Sequence, residues 1–373
     1  MMSQDPADFA ALQQAFPYPR STSGAITDLG RGIIESIREN GPISFSDYMA
    51  RCLYDPKLGY YARDQAATVS KAGDFMTSVS VGPVFGLLLA RRFHRFWEAN
   101  GSPSTFTIFE PGAHDGSLAL DVLAAARAHH PDFARSIDYV ISEPLPLRRA
   151  LLEKRLGDRA RIVSSPDECR ATIGVLVANE VLDALPVPLF LKTGCGWHEV
   201  FVTEKSNRLE WDLREAGPPL PRTLPDGYLA EGTPDFTSFL APFERIFERG
   251  LHLWIDYGLD ADSLLHPART AGTLRCYRNH QTKVHPLDSP GEQDLTADVN
   301  FSAFEEAAGQ LGLKVHPALN QSRFLTYCGK EWLLQSPSAR EISQFQTLIH
   351  PSQFGNRFYT LELTKGKVER SFP

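Results

Sequence analysis

The stretch Ile108-Phe109-Glu110-Pro111-Gly112-Ala113-His114-Asp115-Gly116-Ser117-Leu118 decides the fold of this 373-residue chain. A strand-like apolar run at Thr105–Phe109 leads into it, and a helical pattern at Ser117–His129 follows it. A glycine-bearing turn between a strand and a helix lets backbone amides approach a ligand closely and directs the helix N-terminus toward an anionic group. The stretch therefore predicts the first strand, turn and helix of an α/β fold, with a candidate ligand site at the turn.

The residues of this turn narrow the ligand class. The glycine spacing is not G-x-G-x-x-G, which disfavours a dinucleotide and hence a nicotinamide-dependent oxidoreductase. The anionic group at the helix N-terminus is either a nucleotide phosphate or an amino-acid carboxylate, and the acidic Glu110 suits a ligand that also carries a cationic amino group. A tight strand–helix turn favours glycine for structural reasons alone, so this motif needs support from the rest of the chain.

Strand-like and helical runs alternate on both sides of this motif. That alternation predicts a mostly parallel sheet with right-handed crossover connections, as in a Rossmann-like core. The further predicted strands are Tyr139–Ser142, Arg161–Val163, Gly174–Ala178, Leu251–Ile255, Lys314–Val315 and Phe358–Leu363. The further predicted helices are Gly30–Glu39, Ser44–Cys52, Val84–Trp97, Leu145–Leu156 and Phe301–Leu311.

Interruptions of the alternation set the predicted domain boundaries. Residues 1–30, rich in Pro, Ser and Gly, form an N-terminal arm, and residues 31–100 form a helical region that covers substrate or cofactor. Seven prolines fall from Pro186 to Pro234, so residues 186–248 are interpreted as an insertion. The core then comprises residues 101–185 and 249–373.

Composition and charge disfavour several classes of protein. The formal net charge of −7 disfavours a nucleic-acid partner, because phosphate binding needs a basic face. The five cysteines are scattered without metal-ligand spacing, so we expect reduced thiols and no metal site. No stretch approaches 18 consecutive apolar residues, and the first residues resemble neither a signal nor a transit peptide. We therefore expect a cytoplasmic protein without membrane insertion, and the sequence leaves open whether the chain forms a homodimer.

Acidic and amide side chains follow the predicted strands at their ends. Asn179, Glu180 and Asp183 follow the fourth core strand, while Glu143 follows the second and Asp256 the fifth. Ligands bind at the carboxyl ends of strands in open α/β sheets, and an acid after the second strand can accept both hydroxyls of a ribose. Carboxylates there can also orient or deprotonate an acceptor nitrogen. The structural alternatives are a helix cap or a salt bridge for Asp183, a turn residue for Asp256 and a solvated loop acid for Glu143.

Taken together, these motifs resemble the mitochondrial complex I assembly methyltransferase family, which includes MidA-like proteins of bacteria and slime moulds. The resemblance covers roughly residues 30–330, and the motifs follow the order of the family. Besides the turn at Glu110–Leu118, the matching segments are Ile43–Phe45, Tyr48–Met49, Leu53–Pro56, Leu58–Tyr61, Gly73–Ser78, Phe85–Gly86, Asn179–Val187, Ile255–Gly258, Gly272–Tyr277 and Gly291–Phe301.

The resemblance implies a class I methyltransferase core that uses S-adenosylmethionine as cofactor and a protein arginine as acceptor, with a link to respiratory complex assembly. It also implies roles for individual residues. The residues implied to contact cofactor are Glu110, Gly112, His114 and Gly116 at its methionine end, Glu143 at its ribose, and Gly73, Asp74 and Thr77 in a nearby loop. The residues implied to face the reacting centre are Asn179, Glu180 and Asp183, with Asp256 in reserve.

The chain departs from the family pattern at two points. His114 occupies a position of the cofactor turn where the family has glycine, and Thr77-Ser78-Val79-Ser80 lacks the Pro-Glu that the family favours after Ser78. If the backbone at His114 is left-handed, the side chain costs about 1–2 kcal/mol, although histidine is among the residues better tolerated there. These departures suggest an alternative function, a methyltransferase homologue with weakened catalysis that acts as a binding or assembly protein.

Overall fold

The computed structural model describes residues 26–63, 77–217, 220, 223–278 and 284–372. The segments of the chain form two compact units. The first unit comprises Met1–Phe75, Asp183–Pro234 and Leu259–Phe301, and the second comprises Met76–Leu182, Asp235–Gly258 and Ser302–Pro373.

The strands of the described residues are numbered in chain order. They are β1 (Ile43–Ser44), β2 (Phe106–Pro111), β3 (Ile137–Ser142), β4 (Arg161–Val163), β5 (Ala171–Asn179), β6 (Leu189–Thr193), β7 (Gly196–Lys205), β8 (Arg208–Glu215), β9 (Leu229–Glu231), β10 (Phe247–Leu259), β11 (Arg275–Tyr277), β12 (Asp294–Thr296), β13 (Val299–Asn300), β14 (Lys314–Val315), β15 (Leu319–Asn320) and β16 (Phe358–Lys365).

The α-helices of the described residues are numbered in the same way. They are α1 (Asp28–Asn40), α2 (Phe45–Tyr54), α3 (Val84–Ala99), α4 (Ser117–His129), α5 (Pro131–Ser136), α6 (Pro146–Leu156), α7 (Phe236–Glu244), α8 (Ala261–Leu264), α9 (Phe301–Gln310), α10 (Gln321–Leu333) and α11 (Ala339–Ile349).

The second unit is built on a sheet whose strands lie in the order β14-β16-β10-β5-β2-β3-β4. Strands β10, β5, β2, β3 and β4 are parallel, whereas β16 is antiparallel to both β10 and β14. The chain runs outward from β2 through β3 and β4, then returns to the other side of β2 as β5 and β10. The strand order therefore reverses between β2 and β5, and such a switch point opens a crevice at the carboxyl ends of the two strands.

Apolar side chains explain why these strands lie inside the unit. Val175 and Val177 of β5 are buried in one core with Ile108 of β2. Strands that are covered on both faces read as continuous apolar runs rather than as alternating ones. Leu88 of α3 and Val122 of α4 belong to the same core, so the two helices pack together on this sheet.

The first unit contains a separate antiparallel sheet. Its strands lie in the order β1-β7-β6-β9, β8 pairs with β7, and β11 and β12 form a further antiparallel pair. Ile33 and Ile37 of α1 and Phe45 of α2 are buried in one core with Leu189 and Val200 of this sheet. The unit therefore has its own hydrophobic core.

The predicted Rossmann-like α/β fold is confirmed, and every predicted strand and helix is present with ends that differ by a few residues. Within residues 186–248, however, the prediction lacked the antiparallel strands β6 to β9, because it took the prolines there as a sign of irregular structure. The short strands β11, β12 and β13 were also missed in residues 260–300, because so few residues give no clear periodicity.

The units divide the chain differently from the predicted domain boundaries. Helix α3 packs with α4 in the second unit, and α7 and the start of β10 lie in that unit as well. Leu259–Phe301, predicted to belong to the core, falls in the first unit. The physical reason is that the chain passes between the units several times, whereas the predicted boundaries follow blocks of sequence.

Among the helices of the described residues, none combines the length and the apolar character that crossing a membrane requires.

Candidate active site

The candidate site of the second unit lies at the switch point between β2 and β5. The turn Gly112–Gly116 follows β2. Asn179 is the last residue of β5, and Glu180 follows it. The β2–β5 pairing includes Phe109 and Leu176, close to the carboxyl ends of both strands. The polar residues that the sequence placed after two separate strands are therefore carried by neighbouring strands of one sheet.

Three left-handed residues shape the turn after β2. The φ angles are 66° at Gly112, 50° at His114 and 77° at Gly116. At Gly116 a Cβ atom would also lie 3.1 Å from Leu156 Cδ1, so this position combines a left-handed backbone with close packing on α6. The left-handed conformation considered for His114 is confirmed, and the turn leads directly into α4 at Ser117.

The side chain of His114 lies beside Asp115 rather than in open solvent. Its Nδ1 is 3.8 Å from Asp115 Oδ1, and burial lowers the pKa of the imidazole, which keeps the ring neutral near pH 7. Asp115 accepts the N–H of Ser117 at 3.0 Å and pairs with Arg155. Burial alone would raise the pKa of Asp115, but hydrogen bonds from His114, Arg155 and Ser117 lower it. Asp115 therefore stabilises the turn and the start of α4.

Glu110 is a buried acid at the end of β2. The residue is only 4% exposed, and Tyr139 Oη donates a hydrogen bond to its Oε2 at 2.6 Å. Burial raises the pKa of Glu110 to about 8, although the hydrogen bond from Tyr139 opposes the shift. A buried carboxyl of this kind gains most from a cationic partner, since an ammonium group would stabilise its ionised form.

Glu143 is the corresponding acid after β3. It is buried, its Oε1 accepts the N–H of Leu145 at 2.8 Å, and its own N–H donates to the carbonyl of Val163 at 2.9 Å. Burial raises the pKa of Glu143, while the Leu145 amide and the positive charges of Arg148 and Arg149 oppose that shift. The carboxylate retains acceptor capacity for hydroxyl groups, because each oxygen carries two lone pairs.

Asn179 and Glu180 form a paired unit at the end of β5. Asn179 Nδ2 donates to Glu180 Oε1 at 2.8 Å, and this bond fixes the orientation of the amide. Asn179 Oδ1 is buried and has no hydrogen-bond partner among the described residues. A buried acceptor that lacks a donor costs free energy, so this atom is ready to accept a hydrogen bond from a ligand.

Asp256 lies near this pair, at the end of the ladder between β5 and β10. Its Oδ2 accepts the N–H of Val181 at 3.1 Å and that of Leu182 at 2.8 Å, while Oδ1 accepts the N–H of Tyr257 at 2.9 Å. The carboxylate therefore binds backbone amides of the turn that carries Glu180.

Asp183 belongs to the first unit, whereas Asn179, Glu180 and Asp256 belong to the second. Its carbonyl accepts the N–H of Ala297 at 2.9 Å, and its side chain is buried. Burial raises the pKa of Tyr61, and the nearby carboxylates of Asp294 and Asp183 raise it further. Asp183 thus lies in an acidic and aromatic part of the first unit.

Two polar residues escaped the sequence reasoning. Tyr139 lies opposite Ile108 in the parallel pairing of β2 and β3, and its hydroxyl reaches Glu110. Asp294 is fully buried and accepts the hydroxyl of Tyr61 at 3.0 Å. Asp294 stands in a matched motif and Tyr139 in a predicted strand, but neither contact follows from spacing along the chain.

The early loop is only partly described. Gly73 and Asp74 lie outside the described residues. Thr77 belongs to the second unit, where its N–H donates to Ser80 Oγ at 3.0 Å and its carbonyl accepts the Ser80 hydroxyl at 2.8 Å. Thr77 therefore forms a local turn with Ser80, and its predicted contact with the cofactor stays a prediction.

The donor and acceptor set fits an adenosyl amino acid. Such a ligand carries an ammonium group, a carboxylate and a ribose diol. Glu110 provides an acceptor for the ammonium group and Glu143 an acceptor for the diol. The first turn of α4 beyond Ser117, whose own N–H is bound by Asp115, provides a helix N-terminus for the carboxylate. The unsatisfied Asn179 Oδ1 at the neighbouring strand lies outside this set and remains an acceptor for a second reactant.

Curated relatives of similar length match most of the chain. The protein arginine methyltransferase NDUFAF7 of Mus musculus is 28% identical, over 91% of this chain and 85% of that protein. The Homo sapiens protein of the same name is 26% identical, over 89% and 82%. The Drosophila melanogaster homologue is 28% identical, over 91% and 85%.

Solved structures and a family of known proteins agree with these relatives. A Burkholderia thailandensis protein solved with bound S-adenosyl-homocysteine is 27% identical, with a TM-score of 0.77 over 100% of this chain and 97% of that one. A native structure of a Burkholderia thailandensis protein gives a TM-score of 0.78 at the same identity and coverage. The family of S-adenosyl-L-methionine-dependent methyltransferases matches residues 88–319, which is well over half of the chain. The chain therefore belongs to this family of S-adenosyl-L-methionine-dependent methyltransferases.

Proposed function

We propose that this methyltransferase acts on a protein, and that its acceptor is a guanidine nitrogen of arginine. The observation that carries the proposal is the Asn179–Glu180 pair, which combines an unsatisfied buried amide oxygen and a carboxylate at the end of β5. The names of the relatives support the same acceptor, since they are called protein arginine methyltransferases. The family resemblance adds the proposal that the acceptor is linked to respiratory complex assembly.

A guanidinium acceptor places two demands on these residues. It must be held in line with the methyl donor, and it must lose a proton although its pKa exceeds about 12. When bound, S-adenosylmethionine supplies an electrophilic methyl group on a sulfonium. As the N–C bond forms and the C–S bond breaks, the positive charge passes to the acceptor nitrogen, which releases one proton while S-adenosyl-homocysteine leaves.

Each polar residue of the second unit takes one part in this proposal. Asn179 Oδ1 accepts one guanidinium N–H, and the Glu180 carboxylate pairs with the guanidinium and receives the proton. Glu110 binds the ammonium group of the cofactor and Glu143 its ribose, as the sequence predicted. The role at the reacting centre that the sequence predicts for Asp183, a residue of the first unit, stays a prediction.

The Glu180→Gln variant tests this assignment. Glutamine keeps the oxygen that accepts from Asn179 but removes the charge and the proton acceptor, so we expect methyl transfer to fall at least about 100-fold. Labelled-methyl transfer is measured on lysate from a strain that lacks the protein, with mass spectrometry of the labelled band and arginine. Isothermal titration with S-adenosyl-homocysteine should give a nearly unchanged dissociation constant.

Two outcomes would contradict the proposal. Equal losses of transfer and cofactor binding in Glu180→Gln would make Glu180 a cofactor residue, and label on a residue other than arginine would refute the acceptor. The matched control is Glu153→Gln, which neutralises an exposed carboxylate on α6 and should change neither measurement.

A further inference from the structure

The turn that carries Glu180 has an unusual backbone and a single acidic anchor. The pairing of β10 with β5 ends at Ile255 and Asn179, and Glu180 continues it by donating its N–H to the Ile255 carbonyl at 2.9 Å. Glu180 then adopts a left-handed conformation with φ of 54°. A non-glycine residue keeps this conformation where its surroundings stabilise it, so the contacts of this turn identify what holds Glu180 in place.

Asp256 supplies the contacts that hold the turn. It is 1% exposed, and one oxygen, Oδ2, accepts both amides that follow Glu180, those of Val181 and Leu182. Successive N–H groups after a left-handed residue form a concave site that binds anions. In this protein the carboxylate of Asp256 fills that concave site, so these two amides serve the fold and are already engaged before a ligand binds.

We propose that Asp256 is a positioning residue, which locks the left-handed turn and thereby aims Glu180 and its partner Asn179 at the acceptor. This inference rests on the proposed function. It replaces the reserve catalytic role that the sequence suggested for Asp256, because both of its oxygens accept backbone amides within the protein. Asp256 thus acts on the reaction through the geometry of Glu180.

Asp256→Asn and Asp256→Ala together separate positioning from proton transfer. Asparagine keeps one oxygen that can accept the amides of Val181 and Leu182, but it has neither the charge nor the basicity of aspartate. We therefore expect labelled-methyl transfer at saturating S-adenosylmethionine to stay within about tenfold of wild type for asparagine and to fall about 100-fold for alanine. S-adenosyl-homocysteine affinity should change little in either variant.

Hydrogen exchange provides a readout that does not depend on activity. Mass spectrometry of peptides spanning residues 179–185 should show faster exchange in Asp256→Ala than in wild type, with Asp256→Asn between them. Asp260→Ala is the control, since Asp260 accepts the N–H and hydroxyl of Ser263 in the same manner outside the site. This variant should lower the melting temperature slightly and leave methyl transfer unchanged.

Specific results would overturn the proposal. If asparagine is as inactive as alanine, Asp256 acts through its charge or its proton, and if both variants keep the wild-type rate, the turn does not depend on it. If Asp256→Ala fails to fold, the asparagine variant still decides, by its rate and its exchange. Should wild-type protein transfer no label, the proposed function fails, while unchanged exchange in the variants would separately refute the anchoring of the turn.

Discussion

At the scale of single residues, the site is organised by side chains whose ionisation depends on burial. Glu110 shares its buried position with Tyr139 and has no counter-cation among the ion pairs of the described residues. Since burial raises the pKa of Glu110 to about 8, most of the free protein holds this acid in its neutral form at pH 7. An arriving ammonium group then requires the acid to ionise.

This coupling predicts a pH dependence of cofactor binding. The pKa of Glu110 is high in the free protein and falls when the ammonium group binds, so binding releases a proton below pH 8. Affinity for S-adenosyl-homocysteine should therefore rise between pH 6 and 7.5, by up to about tenfold per pH unit. Isothermal titration in buffers of different ionisation enthalpy measures both the affinity and the released proton.

The Glu110→Gln variant is the control for this prediction. It should bind the cofactor product more weakly at pH 7.5 and lose the proton release, because glutamine cannot ionise. A pH-independent affinity in wild type, or an unchanged proton release in the variant, would show that another group carries the titration.

His114 illustrates a different effect at the residue scale. It stands in a left-handed position where the resembled family has glycine, and it turns a neutral ring toward Asp115. The chain's second departure from the family pattern is the absence of Pro-Glu after Ser78, a residue that is buried and donates to Gln321 Oε1 at 3.1 Å. The His114 side chain thus has a local partner in Asp115, and Ser78 has one in Gln321, both within the second unit.

At the scale of elements, helices α3 and α4 pack against each other and share a hydrophobic core with strands β2 and β5. Gly86 of α3 faces Asp121 of α4, and a Cβ atom at Gly86 would lie 2.4 Å from Asp121 Cβ. Only glycine allows this approach, which explains the glycine in the matched Phe85-Gly86 motif. Helix packing therefore depends on the absence of one side chain.

Two identical substitutions in different helices test this explanation. Gly86→Ala should lower the free energy of unfolding by about 1–3 kcal/mol, because the helices must move apart. Gly309→Ala in α9, where the new Cβ meets nothing within 4 Å, should raise it by about 0.5–1 kcal/mol through helix propensity. Urea denaturation measures the free energy of unfolding of both variants. If Gly86→Ala stabilises the protein, the close packing of Gly86 against Asp121 is contradicted.

At the scale of the whole molecule, the chain builds two units from interleaved segments. The residues assigned to the cofactor that the structure describes all lie in the second unit, while Asp183 and Tyr61 lie in the first. Cofactor binding should therefore increase the stability of the second unit, because a ligand stabilises the folded state that binds it.

Calorimetry can test this expectation against the nicotinamide alternative. S-adenosyl-homocysteine at 100 times its dissociation constant should add about 2.7 kcal/mol of stability and raise the melting temperature of the second unit. NAD at the same concentration should leave the transition in place. A shift with NAD and none with S-adenosyl-homocysteine would contradict the cofactor assignment.

The sequence by itself determined the elements, the parallel core and the polar residues at the strand ends, because periodicity and turn chemistry act over a few neighbouring residues. The glycine-bearing turn, Glu110, Glu143 and the Asn179–Glu180 motif were all visible in this way, and the series of motifs gave the family. The hydrogen-bond partners of these residues could not be predicted from neighbouring residues in the sequence.

Only the tertiary structure decided how distant segments meet. The pairing of Tyr139 with Glu110, the anchoring of Val181 and Leu182 by Asp256, and the division of the chain into two units join residues that lie far apart in sequence. A strand's apolar pattern specifies that it is buried, but it does not specify which strand lies beside it or at what register. Those contacts arise when the sheet assembles, and they assign Asp256 to the backbone of the turn.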